Sequence, residues 1–361
     1  MTAPGRTGPA WSGSHRTSAR REGQLSQVGR RRFLAALGAT ALTLPFERSA
    51  WAAREVPIIG VIVDSKRRDL SGEARWESFV HDSLAGAGYT VGKNVYLEWR
   101  FTEGKFDRVR EFANELVRLE VDVILSLQSY PAVGVIRAAT QSIPIVMYAY
   151  PPNPVNTGLI KSFARPAGNV TGTTWVRSIT ELTVKQFQIL KEAAPQASRV
   201  AVLRWIKSPP EDWVKQIGAR VNESFGLVVT DFPVGDPAEL PTTLDRVLTI
   251  GPDVLFTFTD SFLIQYSKLI ADFAIEHNLI TMGSGSRFVD HGGLLYYGPD
   301  VVELMHRTMS YVDRILRGAK PGELPVEEPT KFRFAFNAKT AKALGYSLPP
   351  SLQLRVDRVL Q

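Results

Sequence analysis

The fold is decided first by residues 56–63, which read VPIIGVIV. A short, continuous apolar run rich in β-branched residues is typical of a strand that is buried on both faces of a parallel sheet. Residues 73–87 follow and predict an amphipathic helix, because Trp76, Val80 and Leu84 recur at helical spacing. A buried strand followed by a helix of this kind predicts a strand–helix–strand unit.

The same alternation continues along the chain. The first half adds predicted strands at 95–101, 121–127 and 143–148 and helices at 106–119 and 132–140. The second half has predicted strands at 199–203, 227–232, 253–257 and 279–282, and helices at 181–194, 212–225, 237–250 and 261–277. A third zone has a strand at 293–297, a helix at 301–316, an extended segment at 326–336 and a helix at 338–344. The pattern predicts an α/β protein with two Rossmann-like lobes and a ligand site at the carboxyl ends of their strands.

The first 52 residues are predicted to be an N-terminal extension with an export signal. Residues 29–34 read GRRRFL, an apolar run occupies 33–44, and a small-x-small site lies at 50–52. This order is typical of export signals, and the paired arginines favour the twin-arginine type. The apolar run is about half of the roughly 20 residues that span a bilayer. We therefore expect cleavage near Ala52 and a periplasmic protein; a basic tail without an export function is the alternative.

Charge and cysteine content exclude several classes of protein. The chain has 43 basic and 36 acidic residues, but eight arginines and two glutamates lie in residues 1–52, which leaves 35 basic and 34 acidic residues. Nucleic-acid binding needs clustered surplus cations, so no nucleic-acid partner is predicted. The absence of cysteine excludes disulfides, thiolate metal sites and a lipid-anchored cysteine. We expect a monomer that is free in the periplasm.

Sequence motifs of enzymes are also missing. The five histidines include no HxxxH or HxH pair, and the sequence has no Gly-x-Ser-x-Gly elbow and no Gly-Lys-Ser/Thr phosphate loop. Residues 283–285 match only part of a dinucleotide-binding loop. We therefore predict no catalytic residues, no metal and no cofactor. An exported hydrolase on the same fold stays as an alternative that needs a nucleophile and a base to converge.

Several segments together resemble one family of periplasmic substrate-binding proteins. Residues 163–172, FARPAGNVTG, are similar to the LARPGGNVTG stretch of that family. The other similar segments are AAT at 138–140, IPIV at 143–146, RFVDHGG at 287–293, YGPD at 297–300, KPGELPVE at 320–327 and NAKTAKALG at 337–345. The likeness covers nearly all of the chain after residue 52, in the expected order.

The resemblance implies the type I periplasmic binding fold, in which two lobes are joined by a three-strand hinge and clamp a small molecule. Lobe 1 would comprise 53–172 and 283–324, and lobe 2 would comprise 173–282 and 325–361. The implied function is ligand capture for an ABC-type importer, with a permease in the inner membrane as partner. A partner of a membrane sensor is the alternative, and the two differ outside this chain.

The predicted ligand contacts of the first half follow strand ends. They are Asp64, Ser65, Ser129, Tyr130, Tyr148 and Tyr150. Tyrosine rings supply apolar area with a polar group, which suits a partly planar organic ligand. For each tyrosine the alternative is packing at the edge of the lobe with its hydroxyl in water.

The predicted contacts of the second half are Trp175, Arg204, Trp205, Asp260 and Ser284. Asp260 is suited to pair with a ligand ammonium, although a helix N-cap is the alternative. Arg204 is suited to bind a carboxylate, although a salt bridge within the protein is the alternative. These residue types predict an amino acid or an aromatic or apolar acid as the ligand.

Overall fold

The structure is a computed structural model, and it describes residues 56–63, 76–103, 105–127, 132–176, 178–206, 209–258, 263–283 and 285–361, with residues 151–152 and the side chain of Tyr150 left out. The predicted export signal lies outside the described residues. Among the helices that the structure does describe, none is long and apolar enough to cross a membrane.

The first sheet is parallel throughout. Its strands are β1 (Ile58–Val63), β2 (Tyr96–Phe101), β3 (Val123–Leu127), β4 (Ile145–Tyr150) and β5 (Val170–Thr174), in the order β2-β1-β3-β4-β5. The helices between them are α1 (Trp76–Gly86), α2 (Arg108–Arg118) and α3 (Ala132–Ala139). Helix α2 buries Val109, Phe112 and Leu116 against one face of this sheet. The side chain of Leu116 fills the space that a Cβ at Gly60 would need, so helix and strand pack closely.

The second sheet is larger. Its strands are β6 (Arg199–Trp205), β7 (Val228–Val234), β8 (Val254–Thr257), β9 (Ile280–Gly283), β10 (Leu295–Pro299), β11 (Phe332–Asn337) and β12 (Arg358–Leu360), in the order β12-β11-β10-β9-β8-β6-β7. All neighbouring pairs are parallel except β10 with β11. The associated helices are α4 (Ile179–Ala193), α5 (Glu211–Phe225), α6 (Leu240–Leu248), α7 (Ser267–Glu276), α8 (Ser286–Asp290), α10 (Ala338–Ala343) and α11 (Pro350–Gln353).

Helix α9 (Val301–Leu316) belongs to the first sheet although it follows a strand of the second. Its buried residues Leu304, Met305 and Val312 share a core with the first-sheet strands. The chain therefore passes between the sheets three times, after β5, after β10 and before β11. The predicted α/β architecture with two lobes is confirmed, and we call the parts built on the first and second sheets the first and second lobe.

One predicted boundary differs from the structure. The predicted first lobe included 283–324, whereas β10, at 295–299, pairs with β9 and β11 in the second sheet. The reason is the packing of Phe288 in α8: its ring occupies the space that a Cβ at Gly283 or Gly293 would need. The connection from β9 to β10 is thereby held against the second sheet, and the chain returns to the first lobe at Val301.

Two of the segments that carry the resemblance, 163–172 and 320–327, are joined to each other in the first lobe. Thr171 Oγ1 donates to the carbonyl of Leu324 (2.8 Å), and Ala167 N donates to the carbonyl of Gly322 (3.2 Å). Gly172 has a φ of 127°, and a Cβ there would collide with the backbone of Met147. The strand β5 therefore approaches β4 closely only because this residue is glycine.

Candidate functional site

The chain passes from the carboxyl end of β10 in the second lobe to α9 in the first lobe close to the end of β4. Tyr148 lies near the end of β4 in the first lobe, and its hydroxyl donates to the carbonyl of Val301 (3.2 Å). Val301 is the first residue of α9, so this bond lies within the first lobe, two residues after β10 ends in the second lobe. Ligands of open parallel sheets bind beyond the carboxyl ends of the strands, so the candidate site lies in the cleft that these ends border.

An aromatic cluster lines the first-lobe side. Tyr148 is 8% exposed, and its ring meets that of Trp76 edge to face, with centroids 5.4 Å apart. Trp175, which follows β5, packs against the same core. Burial raises the pKa of the Tyr148 hydroxyl well above its usual range, and the negative charge of Asp300 adds to this shift. The hydroxyl is thus a neutral donor that the protein already uses, and Tyr148 offers a ligand mainly its apolar ring.

Ser126 is a further polar residue of this lobe. It is the next-to-last residue of β3, it is fully buried, and its hydroxyl has no hydrogen-bond partner among the described residues. An unpaired buried hydroxyl costs about 1–3 kcal/mol, so such groups call for an explanation. The signal in the sequence is a serine inside the apolar strand VILSL at 123–127.

A second aromatic cluster lies at the carboxyl edge of the second sheet. Phe258 follows β8, and its ring meets that of Trp213 in the first turn of α5 edge to face, with centroids 5.5 Å apart. The indole Nε1 of Trp213 donates to Thr180 Oγ1 (2.9 Å) in the first turn of α4. Since α5 follows β6 and α4 follows the first crossing, both helix starts lie at this edge. Sequence reasoning placed Trp213 on a helix and missed its position beside the strand end.

Arg204 is engaged within the protein, which favours the salt bridge that was the alternative to a contact with a ligand carboxylate. Its side chain is 2% exposed, and its Nε and Nη2 donate to the carboxylate of Asp231 at 2.7–3.1 Å. Its Nη1 donates to the carbonyls of Trp205, Ile206 and Pro209. The guanidinium is therefore engaged by Asp231 of β7 and by backbone carbonyls at and after the end of β6. Trp205 ends β6 at the same edge of the sheet, with its side chain partly buried.

Seven of the predicted contacts have side chains outside the described residues: Asp64, Ser65, Ser129, Tyr130, Tyr150, Asp260 and Ser284. Their positions in the chain, directly after or at the ends of β1, β3, β4, β8 and β9, follow from the observed strand bounds. They stay predictions. Among the described contacts, the structure brings Tyr148 and Trp175 to the first-lobe cluster.

Comparisons with known proteins identify the family. Residues 70–360 match the family model described as ABC transporter substrate binding protein. The chain belongs to this family. Its members and the structural neighbours are binding proteins rather than enzymes, in agreement with the prediction. The family is generally found outside the cytoplasm.

Three similar proteins differ in their sequence identity to this chain and in how much of it they match. A tyrosine-binding protein of Clostridioides difficile (strain R20291) is 25% identical over 263 residues, which is 73% of this chain and 74% of that protein. An ABC domain in complex with L-Trp from Streptococcus pneumonia has a TM-score of 0.74 at 24% identity and covers 84% of this chain and 100% of its own. A ligand-free, open substrate-binding protein with adhesive properties from Clostridium difficile has a TM-score of 0.62 at 22% identity and covers 85% and 100%. The predicted type I periplasmic binding fold is confirmed.

Proposed function

We propose that the chain, as a member of this family, binds an aromatic amino acid between its lobes and delivers it to an ABC permease. The observation that carries the proposal is the pair of aromatic clusters at the carboxyl edges of the two sheets, Trp76 with Tyr148 and Trp213 with Phe258. An aromatic side chain that is enclosed by such rings gains about 0.5–1.5 kcal/mol per ring pair beyond the burial of its area.

The amino-acid part of the ligand needs hydrogen-bond acceptors for its ammonium group and hydrogen-bond donors for its carboxylate. Asp260, two residues after Phe258 in the sequence, would supply a carboxylate for the ammonium group, and Ser126 and Ser129 would supply hydroxyls for the carboxylate. Arg204 is not among these partners, because Asp231 already neutralises it. We therefore expect hydroxyl and backbone N–H donors, rather than a guanidinium, to hold the ligand carboxylate.

Two of the similar proteins support this class of ligand. The relative from C. difficile is a tyrosine-binding protein, and the domain from S. pneumonia is in complex with L-Trp. Both ligands are aromatic amino acids, which fits the aromatic walls of this chain better than a sugar, whose many hydroxyls would need more polar partners.

Binding is proposed to close the cleft. The three crossings let the lobes turn relative to each other, and a ligand that contacts both lobes stabilises the closed arrangement by its differential affinity for it. The closed form then docks on the permease. Export by the twin-arginine signal, with cleavage near Ala52, would place the monomeric protein in the periplasm, where this encounter occurs.

Calorimetry and thermal unfolding test the proposal with a matched set of compounds. L-Tyrosine and L-tryptophan are compared with tyramine, which lacks the carboxylate, and with 3-(4-hydroxyphenyl)propionate, which lacks the ammonium group; L-leucine and glucose are further controls. A ligand at 100 times its Kd stabilises the protein by about 2.7 kcal/mol. Stabilisation by the two aromatic amino acids alone is the expected result. Equal binding of the propionate would turn the assignment towards aromatic acids, and binding of glucose alone would refute it.

A further inference from the structure

Asp300 connects the two lobes through one carboxylate. Its Oδ1 accepts from the backbone N–H groups of Val302 (3.1 Å) and Glu303 (3.2 Å), so it caps α9 of the first lobe. Its Oδ2 accepts from Nε of Arg333 (2.7 Å), which lies on β11 of the second lobe. The Asp300 side chain is 8% exposed and the Arg333 side chain is 48% exposed, so the pair is partly shielded from solvent on the side of the carboxylate.

The other two crossings are anchored to the first lobe. Thr173 and Thr308 share a hydrogen bond of 2.7 Å between β5 and α9, and Tyr311 donates to the carbonyl of Pro325 at 2.5 Å. Thr174 N donates to the carbonyl of Glu327 (2.9 Å), and Arg307 Nη1 lies 3.1 Å from the Glu327 carboxylate. The first and third crossings are therefore attached to each other and to α9 before they enter the second lobe.

The second crossing joins the third at the same place. Asp300 N donates to the carbonyl of Lys331 (2.9 Å), one residue before β11 begins. The backbone and the side chain of Asp300 thus both contact the segment that leads into the second lobe, while the side chain also holds the first turn of α9.

We propose that Asp300 and Arg333 form the pivot about which the lobes turn, and that this pair limits the range of lobe orientations in the ligand-free protein. A pivot that is held in place lowers the conformational entropy lost on closure. The pair therefore raises ligand affinity although neither residue needs to touch the ligand. This effect on affinity rests on the proposed function, whereas the effect on lobe orientation does not.

Spin-label distance measurements test the pivot directly. The chain has no cysteine, so Asn114→Cys on α2 and Glu223→Cys on α5, both at exposed positions, give one label on each lobe. In this background Asp300→Asn keeps an oxygen to cap α9 but loses the charge that attracts Arg333. Arg333→Gln removes the cation from a residue that is 48% exposed, so this variant is the safer of the two for folding.

The matched control is Arg355→Gln. It breaks the Arg355–Glu192 pair (2.6 Å, arginine 39% exposed), which lies within the second lobe. We expect the two pivot variants to broaden the inter-lobe distance distribution without ligand and to weaken L-tyrosine binding about fivefold. The control should change neither quantity.

Unchanged distance widths in Arg333→Gln would overturn the pivot, and so would equal broadening in Arg355→Gln. If the parent protein binds no aromatic amino acid but the pivot variants still broaden the distribution, the proposed ligand is wrong and the pivot stands.

Discussion

The two lobes are built alike but carry their polar groups differently. At the strand ends of the first lobe, the hydroxyl of Ser126 is buried without a partner among the described residues. At the strand ends of the second lobe, Arg204 is buried with its charge neutralised by Asp231. Both edges have an aromatic cluster. We therefore expect the first lobe to supply a polar contact to the ligand through Ser126, and the described part of the second lobe to supply an apolar wall through Trp213 and Phe258.

The lobes also differ in their relation to the crossings. Segments 163–174 and 320–327 are bonded to each other and to α9, so they move with the first lobe. The second lobe is joined to these segments and to α9 at the Asp300–Arg333 pair. Substitutions in the crossing segments should therefore act on folding, and substitutions at the strand ends should act on binding.

The largest effect is expected from Gly172→Ala. The residue has a φ of 127°, and the new Cβ would collide with the backbone of Met147, so β5 must leave its place beside β4. We expect a loss of about 4 kcal/mol in the free energy of unfolding, which is at the upper end of the range observed for single substitutions. Urea unfolding followed by circular dichroism measures it. Gly158→Ala is the control, because φ there is 69° but the space is open, and it should cost only about 1 kcal/mol.

Arg204→Met should be the next most severe. Removing one partner of a buried pair leaves Asp231 uncompensated, although water reaches that carboxylate, whose side chain is 20% exposed. We expect a loss of about 3 kcal/mol in stability. Arg355→Met, which breaks an exposed pair of the same lobe, should cost less than about 1 kcal/mol. A large loss of ligand affinity in folded Arg204→Met, with stability unchanged, would restore Arg204 as a direct contact.

Trp213→Leu tests the apolar wall of the second lobe. The variant loses the edge-to-face contact with Phe258 and the bond to Thr180. We expect the affinity for L-tyrosine to fall about tenfold, which corresponds to about 1.4 kcal/mol. Phe273→Leu on α7, whose ring contacts His277, is the control and should leave affinity unchanged. Equal affinities of the two variants in calorimetry would remove Trp213 from the site.

Ser126→Ala should give the smallest change in affinity. Its effect tests whether the first lobe supplies a polar contact to the ligand. If the hydroxyl binds the ligand, its removal should weaken L-tyrosine binding about fivefold. The ligand-free protein should be no less stable, because no hydrogen bond of this hydroxyl within the described residues is lost. Thr183→Ala removes the other fully buried unpaired hydroxyl, on α4 of the second lobe, and should leave affinity unchanged. Calorimetry and thermal unfolding of both variants give the two quantities.

Much of the fold could be predicted from the pattern of apolar residues. The runs at 56–63 and 121–127 are buried strands as predicted, and Val109, Phe112 and Leu116 form the buried face of α2. The pattern did not predict β12, since Arg358–Leu360 is short and partly exposed. It also did not predict the sheet that β10 joins, because a buried strand reads the same in either lobe.

The candidate site was predicted less completely. The strand ends were predicted from the sequence, and the structure places Tyr148 and Trp175 in one cluster of the first lobe; their contact with a ligand stays a prediction. Arg204 was assigned to the ligand because its partner, Asp231, is distant in the chain and lies beside it only through the pairing of β6 with β7. Trp213 was missed for the same reason, because its neighbour Phe258 is 45 positions away in the sequence.

The sequence by itself determined the class of the protein: alternating strands and helices, the family segments, and the near-neutral charge after residue 52. These depend on local periodicity and composition, which act over a few residues. The tertiary structure decided which charges are neutralised, which hydroxyl is left without a partner, and which residue ties the lobes together. Such properties depend on contacts between residues that are far apart in the chain, and only folding brings Asp300 to Arg333 or Arg204 to Asp231.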